Sequence, residues 1–319
     1  MGKIVSMQVL SPEQESLIRE TAPGYEIIQG KAREIDPGTI RQAEILLGWS
    51  TRYEETALDP ESPLRWIQTR SAGVDTLPLE QLEEKNIMLT NASGVHAIPI
   101  TEMIFGFLLS HTRYMQASTK LQQQRTWKKP GYNSLQELQG KTILIAGVGE
   151  IGTETARIAK AFGLKVTGVR RSGRDVPHVD QMYTMDGLLD AVADADIVVN
   201  ILPLTDETLH IFDEKVFAAF KRGMFFVNVG RGQTVKTSAL IQALENGQIA
   251  FSGLDVFEEE PLPADHALWT MDNVLITPHV AGDTIRYDER VFDIFLENLK
   301  AYTAGRELPR NLVDYRVKY

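Results

Sequence analysis

Glycines 147, 149 and 152, near the middle of the chain, constrain its fold more than any other feature. Residues 147–152 read Gly-Val-Gly-Glu-Ile-Gly, directly after the apolar run Thr142-Ile143-Leu144-Ile145-Ala146 and before a helical stretch from Thr153 to Phe162. A G-x-G-x-x-G turn between a buried strand and a helix has a mechanical meaning. Gly147 permits the tight turn, Gly149 lets a bulky anion approach the backbone, and Gly152 lets helix and strand pack closely. The helix N-terminus then presents free N–H groups and a partial positive charge, which suit a pyrophosphate. The turn predicts a dinucleotide site formed by Gly147, Gly149, Glu150, Ile151 and Gly152. A glycine-rich turn without a ligand is the competing structural reading.

Short apolar runs recur around this turn. Lys165–Val169, Asp196–Asn200, Met224–Asn228 and Asn273–Ile276 read as strands with helical segments between them. Runs of this length separated by helices indicate a parallel sheet buried on both faces. Upstream, Glu44–Trp49 and Leu64–Thr69 read as strands, and Pro12–Ala22 and Pro78–Lys85 as helices. A long helix is expected from Ile100, with Met103, Ile104, Phe107, Leu108 and Leu109 broadly on one face. Residues 113–124 are more polar, and Trp127-Lys128-Lys129-Pro130-Gly131 breaks the helix. A length of 319 residues fits two domains. Because the glycine signature comes late, the expectation is an α/β protein of two parallel-sheet domains. A nucleotide domain, residues 97–282, is inserted into a substrate domain built from 1–96 and 283–319.

Charge and composition exclude several classes. A net charge of −10 argues against a nucleic-acid partner, so an anionic ligand must be caught by a few placed cations. With no cysteine, disulfides and thiolate metal sites are excluded, and the six histidines show no paired ligand spacing, so no metal is expected. The start, Met1-Gly2-Lys3-Ile4-Val5, carries no signal-peptide core, and no run approaches the ~18 apolar residues of a membrane span. A cytoplasmic protein without membrane contact is expected.

After the second strand of the nucleotide domain the chain reads Val169-Arg170-Arg171-Ser172. An acid in this place accepts from the ribose 2′-OH of NAD; two guanidiniums and a hydroxyl suit the 2′-phosphate of NADP instead. NADP is therefore expected over NAD, bound by Arg170, Arg171 and Ser172. A solvated basic loop is the alternative, and Asp175 or Asp180 folding back would restore an acid.

Three polar residues stand at strand ends or in the loops after them: Arg231 in Val227–Gly232, Glu260 in Gly253–Pro261, and His279 in Ile276–His279. Ligands of open α/β sheets sit beyond the carboxyl ends of the strands, so all three can reach one site. With the glycine turn, Ile201-Leu202-Pro203-Leu204-Thr205 and Thr277-Pro278-His279, these stretches resemble the D-isomer-specific 2-hydroxyacid dehydrogenase family over almost the whole chain. The resemblance implies two Rossmann-like domains with a cleft between them, commonly in a homodimer, and a small 2-keto or 2-hydroxy acid as substrate. It makes Arg231, Glu260 and His279 the catalytic residues. Arg231 would hold the substrate carboxylate and polarise the carbonyl. His279 would give the proton to the reduced carbonyl oxygen, and Glu260 would favour and orient the imidazolium. Glu258 and Glu259 are poorer candidates, because the family's acid directly precedes the proline.

The same resemblance carries further positions. Ser71-Ala72-Gly73-Val74-Asp75 matches the loop that binds the substrate carboxylate, through Ala72, Gly73 and Val74. Pro203, Thr101 and Asp255 match positions near the cofactor, and Trp49 and Arg52 would line the substrate mouth. The helix from Ile100 and the Trp127 segment match the dimerisation arm. Arg170 and Arg171 are more similar to NADP-using glyoxylate and hydroxypyruvate reductases, whereas Ala281-Gly282-Asp283-Thr284 departs from the usual stretch after the histidine. A short phosphoglycerate dehydrogenase remains an alternative, since no regulatory domain follows the last predicted helix. A dinucleotide-binding corepressor that retains the same triad is the alternative of another class.

Overall fold

Both sheets of the protein are parallel throughout, as short apolar runs joined by helices require. The computed structural model describes residues 2–74, 77–131 and 134–316. The chain separates into one unit of Met1–Val95 with Thr284–Tyr319 and a second of His96–Asp283.

The first unit opens with β1 (Gly2–Ser6), α1 (Pro12–Thr21), β2 (Tyr25–Gln29), α2 (Pro37–Arg41), β3 (Ile45–Leu47), α3 (Glu54–Ala57), β4 (Trp66–Gln68), α4 (Leu79–Glu84) and β5 (Met88–Thr90). Its sheet runs β2-β1-β3-β4-β5. Helix α1 starts where local chemistry demands it. Ser11 Oγ accepts from Gln14 N–H at 3.2 Å, Gln14 Oε1 accepts from Ser11 N–H at 3.0 Å, and Pro12 occupies the first turn.

The second unit begins with α5 (Ala97–Thr112), three residues earlier than the apolar pattern indicates. Pro99 lies in its first turn, where the missing N–H has no intrahelical partner to lose. The helix is a core element: Ile104, Phe107 and Leu108 are at most 1% exposed and pack on Ile145, Val199, Phe225 and Phe251. His111 is likewise internal, stacked on Phe251 at 4.5 Å, and burial pushes its ring toward the neutral form. After Tyr114, at a φ of 64°, comes α6 (Met115–Gln123).

The remaining elements are β6 (Thr142–Ala146), α7 (Glu150–Ala161), β7 (Lys165–Val169), β8 (Gln181–Tyr183), α8 (Leu188–Asp194), β9 (Ile197–Asn200), α9 (Glu214–Ala219), β10 (Met224–Asn228), α10 (Thr237–Glu245), β11 (Ile249–Leu254) and β12 (Val274–Ile276). The sheet order is β12-β11-β10-β9-β6-β7-β8, which reverses direction between β6 and β9. Alternate residues feed opposite cores. Ile143, Ile145 and Val199 join α5 and α7 on one face; Leu144, Ala146, Val198 and Phe226 join α8, α9 and α10 on the other. The glycine turn follows β6, at the reversal point where open α/β sheets bind ligands.

Helix α11 (Tyr287–Thr303) returns to the first unit. Phe295 and Tyr302 stack on Trp66 at 5.1 and 5.6 Å. A fully buried ring such as Phe295 contributes about 1.5–3 kcal/mol. Glu44 accepts from the hydroxyls of both Tyr25 (2.7 Å) and Tyr302 (2.8 Å), tying α11 to the start of β3. Among the described residues no helix is long and apolar enough to cross a membrane.

Candidate active site

The glycine turn has the shape that a pyrophosphate needs. Gly147 has a φ of +102°, and a Cβ there would lie 2.9 Å from the Ile201 carbonyl carbon and oxygen. A Cβ on Gly152 would lie 2.8 Å from Gly147 O. At Gly149 a Cβ would meet nothing within 4 Å. The outer two glycines are closed off by protein, while the middle one faces open space. Gly149 gives α7 no side-chain cap, so the first-turn N–H groups of Glu150, Ile151 and Gly152 are left available to an anion. The residues present therefore fit the phosphates of a dinucleotide.

Arg170 follows β7 and is half-buried; its N–H donates to Tyr183 O at 3.1 Å, and its carbonyl closes a turn by accepting from Gly173 N–H at 3.1 Å. Arg171 and Ser172 on that turn are exposed. Among the described residues neither guanidinium has an ion-pair partner. Asp180 is committed at the other end of the strand. It accepts from Lys160 Nζ at 2.8 Å and from Val166 N–H at 2.8 Å, and these bonds hold its carboxyl below the usual carboxylate range. It supplies no acid beside Arg170. Asp175 is exposed.

Arg231, Glu260 and His279 follow β10, β11 and β12, neighbours in the sheet. His279 Nδ1 lies 2.7 Å from Glu260 Oε2, and Phe257 N–H donates to Glu260 Oε1 at 2.9 Å. Burial pushes the Glu260 carboxyl up. The bonds from His279 and Phe257, with the charges of His279 and Arg231, outweigh this and leave it below its ordinary value. Glu260 is thus an ionised acceptor, so Nδ1 of His279 carries the shared proton and Nε2 faces elsewhere. Arg231 is exposed, and its Nη1 donates to Gly230 O at 2.8 Å. His279 has a φ of 54°, a left-handed backbone costing on the order of 1–3 kcal/mol for a non-glycine. Asp255 fixes it there. The Asp255 carboxylate, 1% exposed, accepts from Thr277 Oγ1 (2.5 Å), Val280 N–H (3.0 Å) and Ala281 N–H (2.9 Å), and Asp255 O accepts from His279 N–H at 2.9 Å.

Other sequence candidates are placed as follows. Pro203 is exposed after β9, and its carbonyl accepts from Thr208 Oγ1 at 2.7 Å. Thr101 is 2% exposed, and its hydroxyl meets that of Thr155 at 3.0 Å, joining α5 to α7. Ala72, Gly73 and Val74 follow β4 in the first unit. Among the described residues their N–H groups donate to no protein acceptor. Asp75 lies outside the described residues. Trp49 is half-buried after β3 with its Nε1 unpaired among the described residues, and the Arg52 guanidinium lies over the Tyr53 ring at 5.7 Å. Among the described residues no group of three or more potential ligands could hold a metal ion.

Sequence reasoning missed Asn200, Asn228 and Thr234, which form a buried polar network behind Arg231. The available signal was an asparagine ending each of two apolar runs, Ile197–Asn200 and Met224–Asn228.

Residues 105–281 match the family described as D-isomer specific 2-hydroxyacid dehydrogenase, NAD binding domain. A glyoxylate reductase from Thermofilum pendens is 34% identical over 283 residues, covering 87% of this chain and 83% of that protein. The crystal structure of a D-isomer specific 2-hydroxyacid dehydrogenase family protein from Aeromonas salmonicida is 35% identical with a TM-score of 0.77, covering 98% of this chain and 99% of the other. A D-isomer specific 2-hydroxyacid dehydrogenase from Xanthobacter autotrophicus, solved in complex with NADPH and MES, is 28% identical with a TM-score of 0.75, covering 100% and 99%. The family match and the relatives together place the chain among nicotinamide-dependent oxidoreductases acting on CH–OH. The chain belongs to the D-isomer-specific 2-hydroxyacid dehydrogenase family.

Proposed function

We propose that this protein reduces glyoxylate or hydroxypyruvate to the corresponding 2-hydroxy acid, preferring NADPH to NADH, with Arg231, Glu260 and His279 as its catalytic residues. The observation that carries the reading is the 2.7 Å pair of His279 Nδ1 and Glu260 Oε2 in the same unit as Arg231, which has no ion-pair partner among the described residues. The nicotinamide supplies the hydride when bound; Gly147, Gly149 and the first turn of α7 would hold its pyrophosphate, and Arg170, Arg171 and Ser172 the 2′-phosphate.

Arg231 pairs with the substrate carboxylate through its planar fork and polarises the adjacent carbonyl. Negative charge develops on that oxygen during reduction, and His279 Nε2 delivers a proton to it. Glu260 holds the other ring nitrogen, which fixes the tautomer and stabilises the imidazolium beforehand. Ala72, Gly73 and Val74 are assigned in this reading as backbone donors to an anionic substrate group. Asp255 acts near the cofactor by holding the loop that carries His279. A homodimer is part of the reading, supported now by Trp127 at 94% exposure with Met115 and Leu135 also exposed, rather than by α5.

The test is turnover of glyoxylate, hydroxypyruvate and 3-phosphohydroxypyruvate with each reduced cofactor, repeated for His279→Ala and Arg231→Ala. Each variant is expected to lose most of kcat/KM, and in His279→Ala the loss of general acid–base catalysis alone amounts to ~10²–10⁴-fold. Near-parental turnover by either folded variant would falsify the mechanism. Preference for the phosphorylated keto acid would replace the substrate assignment with phosphoglycerate dehydrogenase, and absence of turnover with all three would favour a binding protein.

A further inference from the structure

We propose that Asn200 and Thr234 are positioning residues for Arg231, acting through a buried network that joins the turn after β9 to the turn after β10. The proposal rests on the assignment of Arg231 to the substrate carboxylate. Asn200 and Thr234 are 0% exposed and Asn228 is 1% exposed. Asn200 Nδ2 donates to Asn228 Oδ1 at 2.9 Å and to Thr234 Oγ1 at 2.6 Å, while its Oδ1 accepts from Leu202 N–H at 3.1 Å. Asn228 Oδ1 also accepts from Gly230 N–H at 3.2 Å, and Thr234 Oγ1 donates to Arg231 O at 2.6 Å. The N–H preceding Arg231 and the carbonyl of Arg231 itself therefore both end on groups oriented by Asn200.

The residue types follow from donor counting. The Thr234 hydroxyl gives its one proton to Arg231 O, so it must accept from position 200. Asn228 Oδ1 must also be met there by a donor. Asparagine supplies two donors and one acceptor; aspartate, of the same shape, would set acceptor against acceptor. Buried networks of this kind are stabilising only when every member is satisfied.

Backbone packing makes Arg231 sensitive to this network. A Cβ at Gly230 would lie 2.7 Å from Leu202 O, and one at Gly232 would lie 1.8 Å from Phe257 O. Arg231 thus sits between two glycines pressed directly on the neighbouring turns, with no side chain to absorb a shift. Its guanidinium has no ion-pair partner among the described residues and donates from Nη1 to Gly230 O at 2.8 Å, so the peptide held by this network also helps to set where it reaches. Ile201 also abuts Gly147 of the glycine turn, so the same peptide links the nucleotide cradle to Arg231.

The test uses the full chain with Asn200→Ala and the near-isosteric Thr234→Val, beside Arg231→Ala. In both network variants KM for the accepted keto acid should rise on the order of ten-fold, with kcat changed far less. The alkaline limb of the pH profile should stay in place, because the His279–Glu260 pair is untouched. The NADPH dissociation constant of Thr234→Val, from fluorescence titration, should remain near the parental value. Amide exchange at Gly230 should quicken in Asn200→Ala, a readout independent of turnover. A folded Thr234→Val with parental KM, or with lowered kcat and parental KM, overturns the proposal, whatever its melting temperature. If Arg231→Ala also keeps the parental KM, the carboxylate assignment falls with it; if Arg231→Ala alone raises KM, only the positioning role falls.

Discussion

Replacing Glu260 by Gln isolates the charge of the His279 partner from its shape. Glutamine keeps the volume and one carbonyl oxygen for the Nδ1–H of His279, now 2.7 Å from Glu260 Oε2, but removes the negative charge. Two unit charges about 4 Å apart interact by ~1 kcal/mol in water and ~4 kcal/mol at an effective dielectric constant of about 20. The side chains of His279 and Glu260 are 53% and 34% exposed, which places the pair toward the weaker end. About 1–1.5 kcal/mol is a fair magnitude, and 1.36 kcal/mol corresponds to one pH unit. The sign follows from which form is used. Reduction uses a proton from the ring, and the negative carboxylate favours the ring that carries it, so removing the charge opposes reduction. The alkaline limb of kcat/KM for reduction should therefore move about one unit toward acid in Glu260→Gln, with the rate on the acid side of the limb much less affected.

The parent should show the complementary behaviour on its acid side. Glu260 is held below its ordinary value, so its support of the imidazolium is complete above the usual carboxylate range. That support is lost only as pH falls through the lowered value. The assay is the pH dependence of kcat/KM for one accepted keto acid at saturating reduced cofactor, for parent and variant in the same buffers. Superimposable profiles in a folded Glu260→Gln would refute the electrostatic role and leave Glu260 only an orienting one.

Two further outcomes are expected. The parent should use NADPH about ten-fold to several hundred-fold better than NADH, since one or two charge-assisted bonds to a 2′-phosphate contribute ~1.5–3 kcal/mol each, and Arg170→Asp should reverse the order; equal or better use of NADH by the parent defeats this. Sedimentation at micromolar concentration should show a homodimer, weakened in Trp127→Lys, and a parent that sediments as a monomer rules it out.

What could be read from the chain alone was what neighbouring residues decide by themselves. The turn at Gly147, Gly149 and Gly152 announces itself because positive φ and close packing are local demands on residue type. Arg231 and His279 were legible because each stands in the loop after an apolar run, and parallel strands bring their carboxyl ends together. Other elements depended on distant partners. β11 (Ile249–Leu254) carries Ser252 and Gly253 within its run, so it does not read as a buried strand until β10 and β12 flank it. β8 has only Gln181–Tyr183, too short for any period to show. What covers the α5 stripe was not legible, because the sheet that packs on it lies later in the chain.

The run Glu258-Glu259-Glu260 shows the limit most sharply, because like side chains in sequence acquire different work from their surroundings. Lys236 gives α10 no side-chain cap. Glu258 takes that place from another loop: it accepts from Thr237 N–H at 2.6 Å and lies 2.7 Å from His210 Nε2. A carboxylate at a helix N-terminus is stabilising, and here it also binds the turn after β9 to the turns after β10 and β11. Burial pushes the Glu258 carboxyl up, but the bonds from Thr237 and His210 bring it below its ordinary value. Two residues on, Glu260 meets His279. The spacing to Pro261 singles out Glu260 by resemblance, but the physical reason is that Glu258 is already engaged in bracing the loop from which Glu260 reaches His279.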